Sequence, residues 1–428
     1  MSWISEDDIK AIRQQADIVD VMSRYITLEK KGKDYKAICP FHDDHDPSLS
    51  ISTDKQIFKC FVCGTGGNVF TFVQKIENIS FLEAVCKVAE LIHYPLHMDT
   101  SQFQPKVDQN QPLYDCVQSY IRFLTYELQS ENGESVKRYL SQRKINEDII
   151  KRFEIGYAPE SSRSVKYLKA KGFNEQILTD TGLIRTHDLD TYAVFDNRLM
   201  IPIHDENGNP VGFTARRLNE DKDVAKYITS ETKIYHKGHL IFNYHRAKEF
   251  AKKNKRCILV EGAMDVIAFE KADIHESIAC LGTACTKEQI ALLKRLNVPL
   301  VVCYDGDKAG KTATYKFGKL AVDYGLNFSI VKNTTGKDPD EIFHELGKDE
   351  LYLSVHKTVS FVEFLFDYLP NQYDLDNYED KKKFTSEMQS FIERTCTDFE
   401  KADYYSRIRD LTGFDLSHQS ANIPAPKK

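Results

Sequence analysis

The sequence predicts a multidomain α+β protein with an N-terminal zinc-ribbon-like domain, a mixed α+β subdomain, a parallel α/β sheet and a helical C-terminal subdomain. Three observations carry this reading. The chain has 428 residues, more than one core absorbs at the usual one domain per about 100 to 200 residues. Its cysteines cluster at positions 39, 60 and 63 and are scattered elsewhere. Short apolar runs alternate with helical segments between positions 257 and 331, the pattern of a sheet with crossover helices.

Composition narrows the class. With 41% hydrophobic and 29% charged residues the chain has a globular make-up, and no run of about 18 apolar residues is present to span a bilayer. The first residues carry Glu6, Asp7 and Asp8, where a secretion signal needs a basic start. A cytoplasmic protein with no membrane contact is the expectation. Ten cysteines are too sparse for a disulfide scaffold at this length. The formal charge of −6 gives no global nucleic-acid signature, so such a partner must be met by local basic surface.

Taken in order, residues 6–25 place Ile9, Ile12, Ala16, Val19 and Met22 at near-helical spacing behind Ser5 as N-cap, which predicts an opening helix. Short alternating runs from 34 to 58, broken by Pro40 and Pro47, predict a small sheet, and a second helix is expected over about 68–93. The zinc-binding domain is thereby bounded at 1–100. The Gln-rich stretch 101–112, with two prolines, is the expected linker. Residues 113–255 should form the α+β subdomain, helical to about Gly182, with strands at 192–203 and 210–217 around the turn Glu206-Asn207-Gly208-Asn209. The runs 257–260, 277–281, 299–304 and 328–331 predict parallel strands within 256–348. Residues 349–416 read as a helical subdomain, and 417–428, polar with two prolines, as a free tail.

Cys39-Pro40-Phe41-His42 and Cys60-Phe61-Val62-Cys63 form C-x2-H and C-x2-C pairs, two knuckles that can close around one ion. Zinc accepts such a thiolate and imidazole set tetrahedrally, and four protein ligands make the site structural. His45 competes on proximity, but the C-x2-H register favours His42. Lys33, Lys36, Lys55 and Lys59 with Phe41, Phe58 and Phe61 supply the cations and rings that single-stranded DNA binders use, although a small domain also needs rings for its core.

The run 257–260 ends at Glu261-Gly262-Ala263-Met264-Asp265, and the run 299–304 ends at Asp305-Gly306-Asp307. Carboxylates at the carboxyl ends of parallel strands stand where open α/β sheets place ligands. Asp338-Pro339-Asp340 can add a third acidic arm. So many like charges call for cations, and hard oxygen ligands suit two or more Mg2+ or Mn2+ ions at a phosphoryl-transfer centre. Glu261, Asp305 and Asp307 are the expected catalytic metal ligands. Asp265, in the first turn of a helix, is equally suited to capping. Between positions 210 and 256 there are 12 Lys or Arg residues against 5 Asp or Glu. Arg198, Arg216, Lys226 and Lys237 are the candidates there and nearby for template phosphates and incoming triphosphates.

Together the zinc knuckles followed by Pro47-Ser48, the Glu261-Gly-x-Met-Asp265 and Asp305-Gly-Asp-x-Ala-Gly310 strings, and Asp338-Pro-Asp-Glu341 resemble the bacterial DnaG-type primases over almost the whole chain. Supporting strings are residues 152–159, 197–203, 226–228 and 236–238. The resemblance implies a zinc domain that engages single-stranded DNA template and a Toprim-fold polymerase core that makes short RNA primers from ribonucleoside triphosphates. It assigns zinc to Cys39, His42, Cys60 and Cys63, catalytic magnesium to Glu261, Asp305 and Asp307, and auxiliary roles to Asp265, Asp338 and Asp340. It also implies nucleotide or template contacts for Arg198, Lys226 and Lys237.

Two departures stand out. Family members usually continue into a helical domain that docks on the replicative helicase, so a helicase partner is expected here only without its usual docking domain. The loop Asp43-Asp44-His45-Asp46 is more acidic than the family pattern, which bears on template affinity. A Toprim topoisomerase needs a tyrosine nucleophile, and no tyrosine stands in such a motif. A binding-only Toprim mediator has no need of the acidic triad, and a Toprim nuclease gives no reason for the zinc module.

Overall fold

In this computed structural model the described residues are 4–42, 44, 46–77, 79–96, 108–187, 190–218, 223–282, 285–333 and 335–416. The chain divides into two compact units, Met1–Val107 and Asp108–Lys428.

The first unit is a five-stranded antiparallel sheet, β1 (Glu29–Lys31), β2 (Asp34–Ala37), β3 (Leu49–Ser52), β4 (Ile57–Cys60) and β5 (Gly66–Gly67), in sequence order, with flanking helices. Leu49, Ile51, Phe58 and Cys60 point to one core with Ile12, Val21, Phe72 and Val88. The opening helix breaks in two, Glu6–Gln15 and Ile18–Met22, because the Asp17 carboxylate accepts from the Val19 and Asp20 amides and starts a new N-terminus. Ser5 caps the first piece by accepting from Asp8 N–H. The expected helix over 68–93 breaks likewise into Val69–Ile76 and Phe81–Leu91, where Ser80 and Glu83 make a capping box.

The second unit opens with helix Gln111–Gln129, which carries Pro112 in its first turn. Proline at that position favours a helix start, so the expected linker ends earlier than 112, and its residues 101–107 lie outside the described residues. A four-stranded antiparallel sheet follows, ordered β11-β10-β9-β6, from β6 (Gly156–Ala158), β9 (Arg198–His204), β10 (Pro210–Arg217) and β11 (Tyr227–Thr229); β7 (Ile184–His187) and β8 (Asp190–Ala193) form a separate hairpin. The single strand expected over 192–203 is therefore two, β8 and β9, turned apart at Asn197, whose φ is +49°. Every residue of β9 is buried. Leu199, Ile201 and Ile203 face the core shared with the next sheet, while Met200 packs with Tyr120, Leu124 and Phe213 under the long helix.

That next sheet is ordered β13-β12-β14-β15-β16: β12 (Cys257–Val260), β13 (Ser277–Ala279), β14 (Leu300–Val302) and β15 (Phe328–Val331) run parallel, and β16 (Thr358–Val359) is antiparallel to β15. Ile258, Val260 and Val301 face one core; Cys257, Leu259, Leu300, Val302 and Ile330 face the other. Helix Ala263–Lys271 after β12 buries Val266, Ile267 and Phe269 in the first core, and helix Lys308–Asp323 after β14 buries Phe317 and Ala321 in the second. Chain direction therefore diverges between β12 and β14, and a crevice opens beyond their carboxyl ends.

The segment 349–416 is not purely helical. It contributes β16 to the sheet, and Leu365, Phe384, Met388 and Ile392 share the second core. A two-residue strand gives no periodicity to read. Residues 417–428 lie outside the described residues. No helix among the described residues is long and apolar enough to cross a membrane.

Candidate zinc site and catalytic cleft

In the first unit the segment leaving β2 carries Cys39, the following turn His42, and β4 with its turn Cys60 and Cys63. Their ligand atoms all lie within 4.8 Å of one another. Cys39 Sγ is 3.8 Å from Cys63 Sγ, and Cys60 Sγ is 4.0 Å from His42 Nδ1. Zinc–sulfur bonds of about 2.3 Å in a tetrahedron require edges of roughly 3.8 Å, so this donor set fits zinc. Burial pushes the Cys60 thiol up, but the Ser48 hydroxyl and the Cys63 and Val62 amides outweigh it and bring the group down to about 6, toward the thiolate a metal needs.

Asp44 accounts for part of the acidic loop. Its Oδ2 accepts from Cys39 N–H at 2.7 Å and from the Ser48 hydroxyl at 2.6 Å, and its Oδ1 lies 3.6 Å from His42 Nε2. Its carboxylate thus stands beside the imidazole nitrogen opposite the one that faces Cys60 Sγ. The Ser48 bond, with that from Cys39, holds the Asp44 carboxyl below the usual range. His45 lies outside the described residues. Phe58 is buried and Phe41 packs on it at 6.0 Å, whereas Phe61 is 74% exposed with the Lys59 ammonium 5.8 Å from its ring centre.

In the second unit Glu261, Asp265, Asp305, Asp338 and Asp340 line one cleft of about 480 Å³ with Arg143, Arg216, Lys226, Tyr227 and Lys237. The Asp305 amide donates to Glu261 Oε1 at 2.9 Å, joining the ends of β12 and β14. Asp305 Oδ1 is buried with no hydrogen-bond partner. Burial, then the charges of Glu261, Asp338 and Asp307, push the Asp305 carboxyl up to about 7. Burial likewise raises Glu261, Asp338 and, most strongly, Asp265. An orphaned oxygen among neighbouring carboxylates fits a hard divalent cation at this place.

The other acids have local duties. Asp307 caps helix Lys308–Asp323 by accepting from Gly310 N–H at 2.7 Å and is not among the residues lining the cleft. Asp265 accepts from Gly262 N–H at 2.9 Å, and Asp338 caps helix Pro339–Leu346 through Glu341 N–H at 2.7 Å. Asp340 is paired with Lys271 and Arg143. Gly310 has to be glycine: an added Cβ would lie 2.2 Å from the Asp305 carbonyl oxygen and 2.8 Å from Glu261 Oε1.

Of the basic candidates, Arg216, Lys226 and Lys237 line the cleft. Arg198 does not: it is buried in β9 and donates to the Ala225 carbonyl at 3.1 Å, beside Lys226. Arg216 lies over the Tyr139 and Tyr227 rings, at 5.0 and 5.4 Å, and donates to the Tyr227 hydroxyl at 2.6 Å. Arg143, Tyr139 and Lys271 lie outside positions 198–256, from which the cationic candidates were drawn. Tyr139 and Arg143, four apart at a helix end with the guanidinium 5.5 Å from the ring, carry the one signal that could have found them.

The four converging Cys and His side chains and the acidic ends of the parallel sheet, edged by cations, are the parts of a metal-knuckle module and a phosphoryl-transfer centre. The comparisons agree. The CHC2 zinc finger family matches residues 4–104, the N-terminal domain of the DNA primase catalytic core matches 123–248, and the Toprim-like family matches 258–343. A DNA primase of Listeria innocua is 34% identical over 424 residues, covering 96% of this chain and 67% of that protein. The crystal structure of the Aquifex aeolicus primase zinc-binding and RNA polymerase domains is similar at a TM-score of 0.58 and 31% identity, covering 97% of this chain and 98% of that one. A DnaG primase catalytic domain bound to single-stranded DNA is similar at 0.61 and 30%, covering 72% and 97%. The chain belongs to the DnaG-type DNA primases, template-directed RNA polymerases.

Proposed function

We propose that this chain makes RNA primers on single-stranded DNA in the cleft at the ends of β12 and β14, with Glu261, Asp305 and, from outside the cleft lining, Asp307 as the residues that hold two divalent ions. The observation that carries the reading is the buried, unpartnered Asp305 Oδ1 beside Glu261 in a cleft that also presents Arg143, Arg216, Lys226 and Lys237. When bound, magnesium or manganese supplies Lewis acidity for the attacking 3′-hydroxyl and charge neutralisation for the triphosphate. The protein's own residues bind and orient. Arg143, Arg216, Lys226 and Lys237 are placed to meet triphosphate and template phosphates, Arg216 being held by two tyrosine rings and the Tyr227 hydroxyl. Arg198 acts indirectly, by fixing the Ala225 carbonyl next to Lys226. Asp265, Asp338 and Asp340 are auxiliary acids that set the backbone at Gly262, the helix at 339 and the Arg143 side chain.

The zinc unit, 1–100 in this reading, engages template, and zinc held by Cys39, His42, Cys60 and Cys63 ties its two turns together. Exposed Phe61 with Lys59 offers a ring and a cation to an unpaired base and its phosphate. The core divides at about 255 and 348 into the α+β part, the Toprim part and the helices packed on it. A cytoplasmic location fits the ten free cysteines.

The test is incorporation of labelled ribonucleotides on single-stranded DNA with magnesium. Wild type should make short RNA, Asp305→Asn none, and Cys60→Ser should lose initiation. Absence of RNA from the wild-type chain on varied templates contradicts the proposal.

A further inference from the structure

Asp340 reads as part of the acidic arm, yet both of its oxygens are engaged. Oδ1 accepts from Lys271 Nζ at 2.7 Å, and Oδ2 pairs with Arg143 Nη1. The Asp340 and Lys271 side chains are 3% and 1% exposed. The Lys271 ammonium also donates to the Arg143 carbonyl oxygen at 3.0 Å and lies 4.4 Å from the Phe343 ring centre. One buried cation thus holds Arg143 twice, through its backbone directly and through its side chain by way of Asp340. The hold matters because Arg143 ends its helix and the next residue, Lys144, turns away with a φ of +55°.

We propose that Asp340 and Lys271 are positioning residues that fix the Arg143 guanidinium at the rim of the cleft, and that Asp340 is not a metal ligand. A carboxylate with an ammonium on one oxygen and a guanidinium on the other is already neutralised and has little to offer a divalent cation. Asp305 Oδ1, buried and unpartnered, is in the opposite condition. A guanidinium held in place before nucleotide arrives binds phosphate without first losing side-chain freedom. The inference rests on the reading of Arg143 as a phosphate contact.

The test compares wild type, Asp340→Asn, Arg143→Ala and their double variant in steady-state RNA synthesis with varied nucleotide. Manganese binding is followed separately by electron paramagnetic resonance without nucleotide. Asp340→Asn should raise the nucleotide KM about tenfold, add little in the Arg143→Ala background, and bind manganese as wild type does. The packed apolar pair Asp340→Leu with Lys271→Met keeps the interior filled and should show the same KM rise at a wild-type melting temperature. Weakened manganese binding in Asp340→Asn, or additive effects of the two single substitutions, overturns the inference. A wild-type nucleotide KM in Arg143→Ala overturns the phosphate-contact reading itself, and the inference falls with it.

Discussion

Gly310 sits against Glu261 so closely that a methyl group at position 310 would come within 2.8 Å of Glu261 Oε1, and within 2.2 Å of the Asp305 carbonyl oxygen. Helix Lys308–Asp323 can thus start directly behind the two carboxylates. Alanine usually gains about 1 kcal/mol over glycine inside a helix, but forced overpacking costs typically 1–3 kcal/mol, and the backbone contact cannot yield without moving Asp305. Gly310→Ala should therefore lower the melting temperature slightly and RNA synthesis by at least about tenfold. Unchanged activity in this variant would show that the strand ends tolerate displacement.

Asp305 links the site to pH. Its folded value, about 7, lies above that of an unfolded aspartate, so the metal-free fold retains a proton that the unfolded chain gives up. The stabilising contribution is complete below the ordinary carboxylate range and is lost as pH rises through about 7. A divalent cation displaces that proton and offsets the repulsion. The rise in melting temperature on adding magnesium should grow between about pH 5.5 and 7.5 and then level off. Asp305→Asn should flatten the profile, as thermal scans across buffers would show.

Asp44 should matter to the zinc unit although it is no ligand. It braces His42, the Cys39 amide and Ser48 together. Removal of such a support typically costs about 10–100-fold in metal affinity. Asp44→Ala should lose zinc to a competing chelator correspondingly faster, while the second unit keeps its own melting transition.

His245, which does not line the cleft, supplies an acid limb of stability. Burial, with Arg246, His204 and Lys248 adding to it, holds the imidazole down at about 3, and its Nδ1 is buried without a hydrogen bond. The ring lies 4.8 Å from that of His204. Unfolding lets His245 take up a proton, so its contribution is intact above the ordinary histidine value and falls as pH drops from about 6.5 toward 3. His245→Phe should make denaturant midpoints less sensitive to pH in that window.

How much could be read in advance depended on where the information lay. Glu261 and Asp305 were legible because each follows an apolar strand within a few residues, and a parallel sheet gathers its strand ends. The convergence of Cys39, His42, Cys60 and Cys63 was legible because each pair is local. Arg143 and Lys271 were not, since their meaning arises only when Asp340, far along the chain, comes between them. Asp17 and Ser80 broke helices that periodicity alone had continued, because a capping side chain competes with the helix ladder without changing the apolar pattern. The short strand β16 was hidden among helices for want of length.

Whether Glu261 and Asp305 hold the catalytic cations is decided by titrating manganese into the full chain and into Glu261→Gln and Asp305→Asn, with folding checked by the melting profile. Wild type should bind saturably, and each variant should lose at least about tenfold in affinity together with RNA synthesis. Wild-type manganese binding in both folded variants would contradict it.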